Sequence, residues 1–197
     1  VDLDGTLIKT DLMFESICVL FKRNPFSLIM LAIWLVKGKA YLKARLAERV
    51  HLNISNVPFN AEFLDFLGNE ERRGRQLILI SAANDCALKK FAEPLKLFTT
   101  CVGSDEQINL KARAKLQRIE EINRGKPFSY AGNAKADVQI WEAAAEVIRV
   151  NCSRSLASHI SDAKPSRDFD LSDSRIRFLW KAVRPHQWTK NGLLFIP

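Results

Sequence analysis

Cysteine is scarce in this 197-residue chain, and the four present are scattered. Cys18, Cys86, Cys101 and Cys152 form no CxxC pair and no Cys/His cluster. That spacing excludes an ordinary zinc site. Single cysteines inside apolar runs read instead as buried thiols in a reducing compartment. His51, His159 and His186 have no metal-ligand partner nearby and read as solvated or structural. Long apolar runs are also missing. The most apolar stretch, Phe26 to Val36, is 11 residues, short of the ~20 that cross a bilayer. There is no signal-peptide pattern, internal repeat or low-complexity tract. There is no initiator Met, and the chain stops within the apolar run Leu193 to Pro197. We therefore expect a piece of a longer protein. What remains is ordinary for a globular chain: 47% hydrophobic and 26% charged residues. The net charge of +8 suggests an anionic partner: phosphate esters, acidic lipid or nucleic acid.

Residues 12–73 read as a helical block. Leu12 to Phe21 has helical periodicity, with Asp11 as N-cap, and Asn24-Pro25 ends it. Phe26 to Val36 is a second helix, flanked by Lys22, Arg23, Lys37 and Lys39. Two readings stand for it: a buried helix, or a segment that leans on a membrane surface. Ala40 to Val50 and Asn60 to Arg73 are further helices. The period then changes. Gln76 to Ile80 is a continuous apolar run, suited to a strand buried on both faces. Helices at Asn84 to Phe91, Lys111 to Asn123 and Ala134 to Ala145 alternate with strands at Phe98 to Val102, Ser129 to Ala131 and Val147 to Val150. Asp85, like Asp11, reads as an N-cap. The alternation predicts an α/β fold with a doubly wound parallel sheet. Residues 153–174, rich in Ser and Asp, read as a helix tail and then a linker.

The chemistry is concentrated at Asp2-Leu3-Asp4-Gly5-Thr6-Leu7. Two carboxylates two apart at a strand end share a side. One can attack a phosphorus atom while the other moves a proton. Open α/β sheets bind ligands beyond the carboxyl ends of their strands. Asp2, Asp4, Ser81 and Asn133 all fall there on the predicted pattern. Ser81 supplies a hydroxyl and Lys111 a cation for phosphoryl oxygens. Asn133 and Asp137, four apart, can complete an oxygen-ligand site for Mg²⁺.

The ordered segments VDLDGTL, LILIS, NLKARAKL and YAGNAKAD resemble the four motifs of the haloacid dehalogenase (HAD) superfamily, over roughly residues 1–152. The resemblance implies a Rossmann-like core, residues 1–11 and 74–160, with a helical cap, residues 12–73, inserted after the first strand. It implies that Asp2 is nucleophile and metal ligand, and that Asp4 is general acid/base and lends a backbone oxygen to Mg²⁺. It implies phosphate binding by Thr6, Ser81 and Lys111. Asn133 occupies the third metal-ligand position, where many members have Asp, with Asp137 behind it. Lys115, one helical turn on, is the alternative to Lys111, because Ala112 replaces the family's glycine after the lysine. Dehalogenase members lack the second Asp, so Asp4 favours phosphoryl transfer to water.

Val183-Arg184-Pro185-His186-Gln187-Trp188-Thr189-Lys190-Asn191 resembles the entry to the first transmembrane helix of UbiA-type polyprenyltransferases, especially the decaprenyl-phosphate phosphoribosyltransferase-like branch. Some of those carry an N-terminal HAD domain with a YAGN motif, as Tyr130 to Asn133 read here. Arg, Trp and Lys before an apolar segment are interface anchors. On this reading residues 161–174 are a linker and 175–197 begin a membrane domain. The HAD part would then sit on the cytoplasmic side of a membrane. The expected activity is a Mg²⁺-dependent phosphatase acting on a phosphate monoester, with a phosphorylated prenyl-phospho-sugar as the suggested substrate. The alternative is a degenerate module that binds phosphorylated ligands or braces the membrane domain; Asn133 keeps it open. No nucleic-acid partner is expected.

Overall fold

A computed structural model describes residues 1–105, 110–158 and 164–169. Helices α1 (Leu12–Arg23), α2 (Ser27–Val36), α3 (Lys39–Arg49) and α4 (Ala61–Arg72) precede strand β1 (Ile78–Asn84). Then follow α5 (Asp85–Ala92), β2 (Thr100–Ser104), α6 (Arg113–Asn123), β3 (Ser129–Gly132), α7 (Val138–Ala143), β4 (Glu146–Val150), α8 (Arg154–Ala157) and β5 (Ser166–Phe169). All strand pairs are parallel: β1 with β2, β3 with β4 and β4 with β5.

Val1 and Asp2 join the two ladders. The Val1 nitrogen donates to the Ile78 carbonyl at 2.8 Å, and Ile80 N–H donates back to the Val1 carbonyl at 2.9 Å. Asp2 N–H donates to the Ala131 carbonyl at 2.9 Å. The lateral order is therefore β2, β1, residues 1–2, β3, β4, β5. The chain winds outward from residues 1–2 on one side and later on the other. Asp2 thus lies at the switch point, where such sheets form their binding crevice.

Strand alternation builds a core on each face of the sheet. Leu79, Ala131 and Ile148 join Leu3, Leu7, Ile8, Phe63, Leu67 and Leu88 on one side. Ile80, Tyr130 and Val147 join Ile140, Trp141 and Cys152 on the other. A separate cluster of Leu20, Leu31, Trp34, Leu42, Leu46 and Val50 holds α1, α2 and α3 to one another. The fourth helix behaves differently, because its Phe63 and Leu67 pack with the sheet. The helical cap cluster is thus α1 to α3, with α4 in the core layer.

Three expectations change at the level of elements. The stretch read as a linker contains β5, an edge strand whose side chains are largely exposed. Among the described residues only one of its edges pairs, which fits its lack of an apolar run. The buried Arg149 grips its Asp168 through two hydrogen bonds, at 2.5 and 3.0 Å. The cap of α5 is Asn84, whose side chain accepts from Ala87 N–H; Asp85 accepts from Gly103 N–H instead. Of the four cysteines, Cys152 is buried and Cys86 is exposed. Asp11 does cap α1, accepting from Phe14 N–H at 3.0 Å. Residues 175–197 lie outside the described residues.

Phe63 ties α4 to the sheet and to β5. It is fully buried, stacked on Phe66 and edge-on to Phe169. Phe63→Ala is expected to lower unfolding stability by about 3–5 kcal/mol. Urea denaturation checks this, and a loss under ~1 kcal/mol would show that α4 is not seated in the core.

Candidate active site

Asp2 is buried at the end of its two-residue strand, facing Lys115 of α6. Lys115 Nζ donates to Asp2 Oδ1 at 2.8 Å and to the Tyr130 hydroxyl at 3.2 Å, and lies 3.8 Å from Asp137 Oδ1. The Tyr130 hydroxyl donates in turn to Asp137 Oδ1 at 2.8 Å. Asp137 Oδ2 accepts from the backbone N–H groups of Asn133 and Ala134, at 3.1 and 3.0 Å. Burial works against charge on Lys115, but Asp2 and Asp137 outweigh it and hold the ammonium above its ordinary value. Burial pushes the Asp2 carboxyl up, while Lys115 pulls it down. Burial, then Asp2 and Asp137, push the Tyr130 phenol well above its usual value. It stays protonated, as its donor role requires.

Asp4 lies across the loop from this network. Its Oδ1 accepts from Leu12 N–H at 2.8 Å and its Oδ2 from the Ser81 hydroxyl at 3.4 Å. Burial, and then the negative charges of Asp11 and Asp2, push its carboxyl up to about 7. Two carboxylates of one short motif are thus set in different environments. Asp2 is paired with an ammonium, whereas Asp4 is held by a backbone amide and a hydroxyl.

The loop between them is tightly built. Gly5 has φ +75° and lies so close to Asn133 that an added Cβ would sit 2.0 Å from the amide nitrogen. Only glycine fits there. Gly132 is similarly pressed, with Asp137 and Tyr130 atoms under 3.0 Å from any added Cβ. Gly5 N–H donates to Thr10 O, and Ile8 N–H donates to Leu3 O. Thr6 is fully buried, and its hydroxyl has no hydrogen-bond partner among the described residues. Ser81, also buried, accepts from Ala83 N–H at 3.1 Å.

Of the two lysines weighed from the sequence, Lys115 is the one against Asp2. Lys111 is exposed and precedes α6. Ala112 adopts φ 42°, and the helix starts only at Arg113, which turns Lys115 inward. Asp137 differs from expectation in another way. Its Oδ1 accepts from Tyr130 and its Oδ2 from two backbone amides, so it braces the Asn133 loop and Tyr130. Asn133 sits against Gly5, beside the Asp4 loop. Among the described residues, no group of three His, Cys, Asp or Glu side chains is placed to hold a metal. Asp2 and Asp4 offer carboxylate oxygens, and Asn133, packed against Gly5 of the same loop, offers an amide oxygen. Such hard oxygen donors suit Mg²⁺, and the negative charges of Asp11 and Asp2, which add to burial in raising Asp4, favour a cation there.

Two residues were missed in the sequence. Tyr130 could have been found as a phenol at a strand end beside the metal-ligand position. Lys43 had no signal. It reaches from α3 of the cap to donate to the Ala82 carbonyl at 2.8 Å. It lines a small cavity of about 30 Å³ with Asp4, Asp11, Leu12, Ser16 and Asn84. Burial lowers its ammonium, partly countered by Asp4.

No protein-family model matches the chain. It is 32% identical over 204 residues to the uncharacterized protein y4nM of Sinorhizobium fredii, covering the whole of this chain and 38% of that protein's length. Its structure is similar to that of a Bordetella pertussis protein of unknown function, at TM-score 0.62 and 14% identity, covering 85% of this chain and 96% of that one. It also resembles substrate-bound phosphoserine phosphatase (TM-score 0.56, 16% identity, 92% and 95% covered). A HAD family hydrolase of Salmonella enterica serovar Typhi matches at TM-score 0.57 and 14% identity, with 86% of this chain and 65% of that chain covered. The parallel α/β architecture is consistent with a Rossmann-like HAD core, and its structural neighbours include HAD-family hydrolases.

The raised Asp4 group has a consequence for stability. The folded state holds its proton up to about pH 7, whereas the unfolded chain releases it near the ordinary carboxyl value of 3.8. Folding therefore loses stability as pH rises from about 4 to about 7. In metal-free buffer Asp4→Asn is expected to match the parent at pH 4 and exceed it at pH 8 by up to about 4 kcal/mol. Urea midpoints measured with EDTA across this range test it; parallel curves would place Asp4 in ordinary solvent.

Proposed function

We propose that this chain is a Mg²⁺-dependent phosphate monoester hydrolase working through an aspartyl-phosphate. The observation that carries the reading is the separation of roles at Asp2 and Asp4. One carboxylate is oriented by a buried ammonium at 2.8 Å. The other has a proton affinity suited to giving and taking a proton near neutral pH. A solved neighbour, a phospho-aspartyl intermediate analogue of phosphoserine phosphatase, covers 92% of this chain at TM-score 0.55 and 17% identity. It supports the same chemistry.

The steps follow from the residues. Asp2 attacks phosphorus, and the bond to the leaving oxygen breaks. Asp4 gives its proton to that oxygen. Asp4, now a carboxylate, takes a proton from water as the water attacks the aspartyl-phosphate and frees Asp2. Lys115 holds Asp2 in place and offsets phosphoryl charge, with Tyr130 and Asp137 fixing its position. Ser81 and the loop carrying Thr6 line the phosphoryl site. Asp2, the Asp4 backbone oxygen and Asn133 would hold Mg²⁺, which when bound supplies charge neutralisation for the phosphoryl group.

The finer reading is a phosphatase fused to a UbiA-like membrane prenyltransferase, at the cytoplasmic face, acting on a phosphorylated prenyl-phospho-sugar. It is supported by the sequence of residues 183–191 and by a relative much longer than this chain. Residues of the described part that form helices are too short or too polar to cross a membrane, so any span would lie elsewhere.

Phosphate release from a panel of monoesters, with Mg²⁺ and with EDTA, tests the activity. Asp2→Asn is expected to lower it by ~10³-fold or more. Lys115→Met is expected to lower it by ~10²-fold and Lys111→Ala to leave it nearly unchanged. Circular dichroism should show all three folded. A folded parent that releases no phosphate, yet binds phosphate analogues, would instead support the non-catalytic module.

A further inference from the structure

The cap carries a surface that the catalytic reading does not use. Helix α2, of sequence SLIMLAIWLV, turns only Ser27, Leu31 and Trp34 inward as buried residues. Leu28, Ile29, Ile33, Leu35 and Val36 are exposed, and Val36 reaches 90% exposure. Phe26, just before the helix, is 77% exposed. At 100° per residue these outward positions cover about half the helix circumference. Soluble surfaces seldom leave so many large apolar side chains together in water.

Charge shows what would cover the face. From Ser16 to Ala47 there is no Asp or Glu, and the charged residues are Lys22, Arg23, Lys37, Lys39, Lys43 and Arg45. Lys22 and Arg23 end α1 just before the apolar face, and Lys37 and Lys39 follow it, all four exposed. An apolar face bracketed by cations matches a bilayer interface, with acyl chains beneath and anionic headgroups at the rim. At 10 residues the helix is about 15 Å long, half the ~30 Å hydrocarbon thickness. It can lie in the interface but not span it. A second copy would set like-charged rims against each other. The chain's own residues 175–190 carry Arg175, Arg177, Lys181, Arg184 and Lys190, and would be repelled in the same way.

We propose that the outward face of α2 seats the cap on an anionic lipid bilayer. This does not depend on the phosphatase reading, since it concerns a surface away from Asp2 and is tested without substrate. The buried side of α2 packs on α3, which brings Lys43 to the site. Seating α2 would therefore hold the mouth of the crevice close to the membrane plane.

Vesicle flotation tests the proposal with the full chain. Vesicles of neutral phosphatidylcholine are compared with vesicles holding roughly 30% phosphatidylserine. Binding is expected to the anionic vesicles, to fall steeply in high salt, and to drop by ~10-fold or more in Ile29→Glu/Ile33→Glu. Lys37→Glu/Lys39→Glu is expected to weaken anionic binding by a similar factor and leave neutral vesicles unaffected. Both variants alter exposed positions, so circular dichroism and phosphate release should match the parent. No binding by the parent, or full binding by the Ile29/Ile33 variant, overturns the proposal. The second result would assign lipid affinity to another segment. Light scattering in the absence of lipid supplies a further arm. A dimer dissolved by the Ile29/Ile33 variant would show that a second copy covers the face, and would also overturn it.

Discussion

The ammonium of Lys115 sits between two carboxylates in a nearly solvent-free space, and the site depends on that placement. A buried charge is costly unless it is paired and hydrogen-bonded. Here Asp2, Tyr130 and Asp137 meet it from two neighbouring strands and the turn that follows. Asp137 passes the constraint on, taking the backbone amides of Asn133 and Ala134. Those amides set the loop that presses Asn133 against Gly5 and thus against the Asp4 turn. Removing the ammonium would leave two carboxylates facing each other under burial. One pair therefore orders α6, the end of β3 and the first motif together.

The sheet makes the pair possible. Residues 1–2 occupy the central position between β1 and β3. So short a segment would by itself hold Asp2 loosely; three ladder hydrogen bonds and the Lys115 pair hold it on both sides. Asp4, beyond the strand, is bound by Leu12 N–H, the first residue of the cap. Asp4 is thereby tied to the start of α1, so the helices before β1 and the sheet meet at its carboxyl group. Lys43 makes a second tie, from α3 to the Ala82 carbonyl.

Much of the architecture was legible because periodicity reports burial directly. The apolar stripe of Leu12 to Phe21 became α1, ended at the Asn24-Pro25 breaker, and the continuous run before Ser81 became part of β1, which starts at Ile78 and runs past Ser81 to Asn84. Failures came where partners replace pattern. Strand β5 is polar because it lies at an edge, and Arg149 recognises its Asp168 across the ladder. Helix α2 is apolar all round in sequence, so periodicity could not say that only one side is covered. Asp137 looked like a metal ligand from its spacing, but Tyr130 and two amides fill its oxygens. Lys111 matched a motif by order, whereas the left-handed turn at Ala112 delays the helix and brings Lys115 inward.

By itself, the sequence determined the parallel α/β class and the run of helices before β1, because these follow from local spacing and short-range propensity. Tertiary structure decided which lysine faces Asp2, that Tyr130 and two amides hold Asp137, and that burial raises Asp4. Those roles depend on burial and on charges brought together from residues more than 100 positions apart, as Lys115 and Asp2 are. No local pattern encodes that distance. The same holds for α2, whose composition set its hydrophobicity while packing on α1 and α3 chose the face left in contact with solvent.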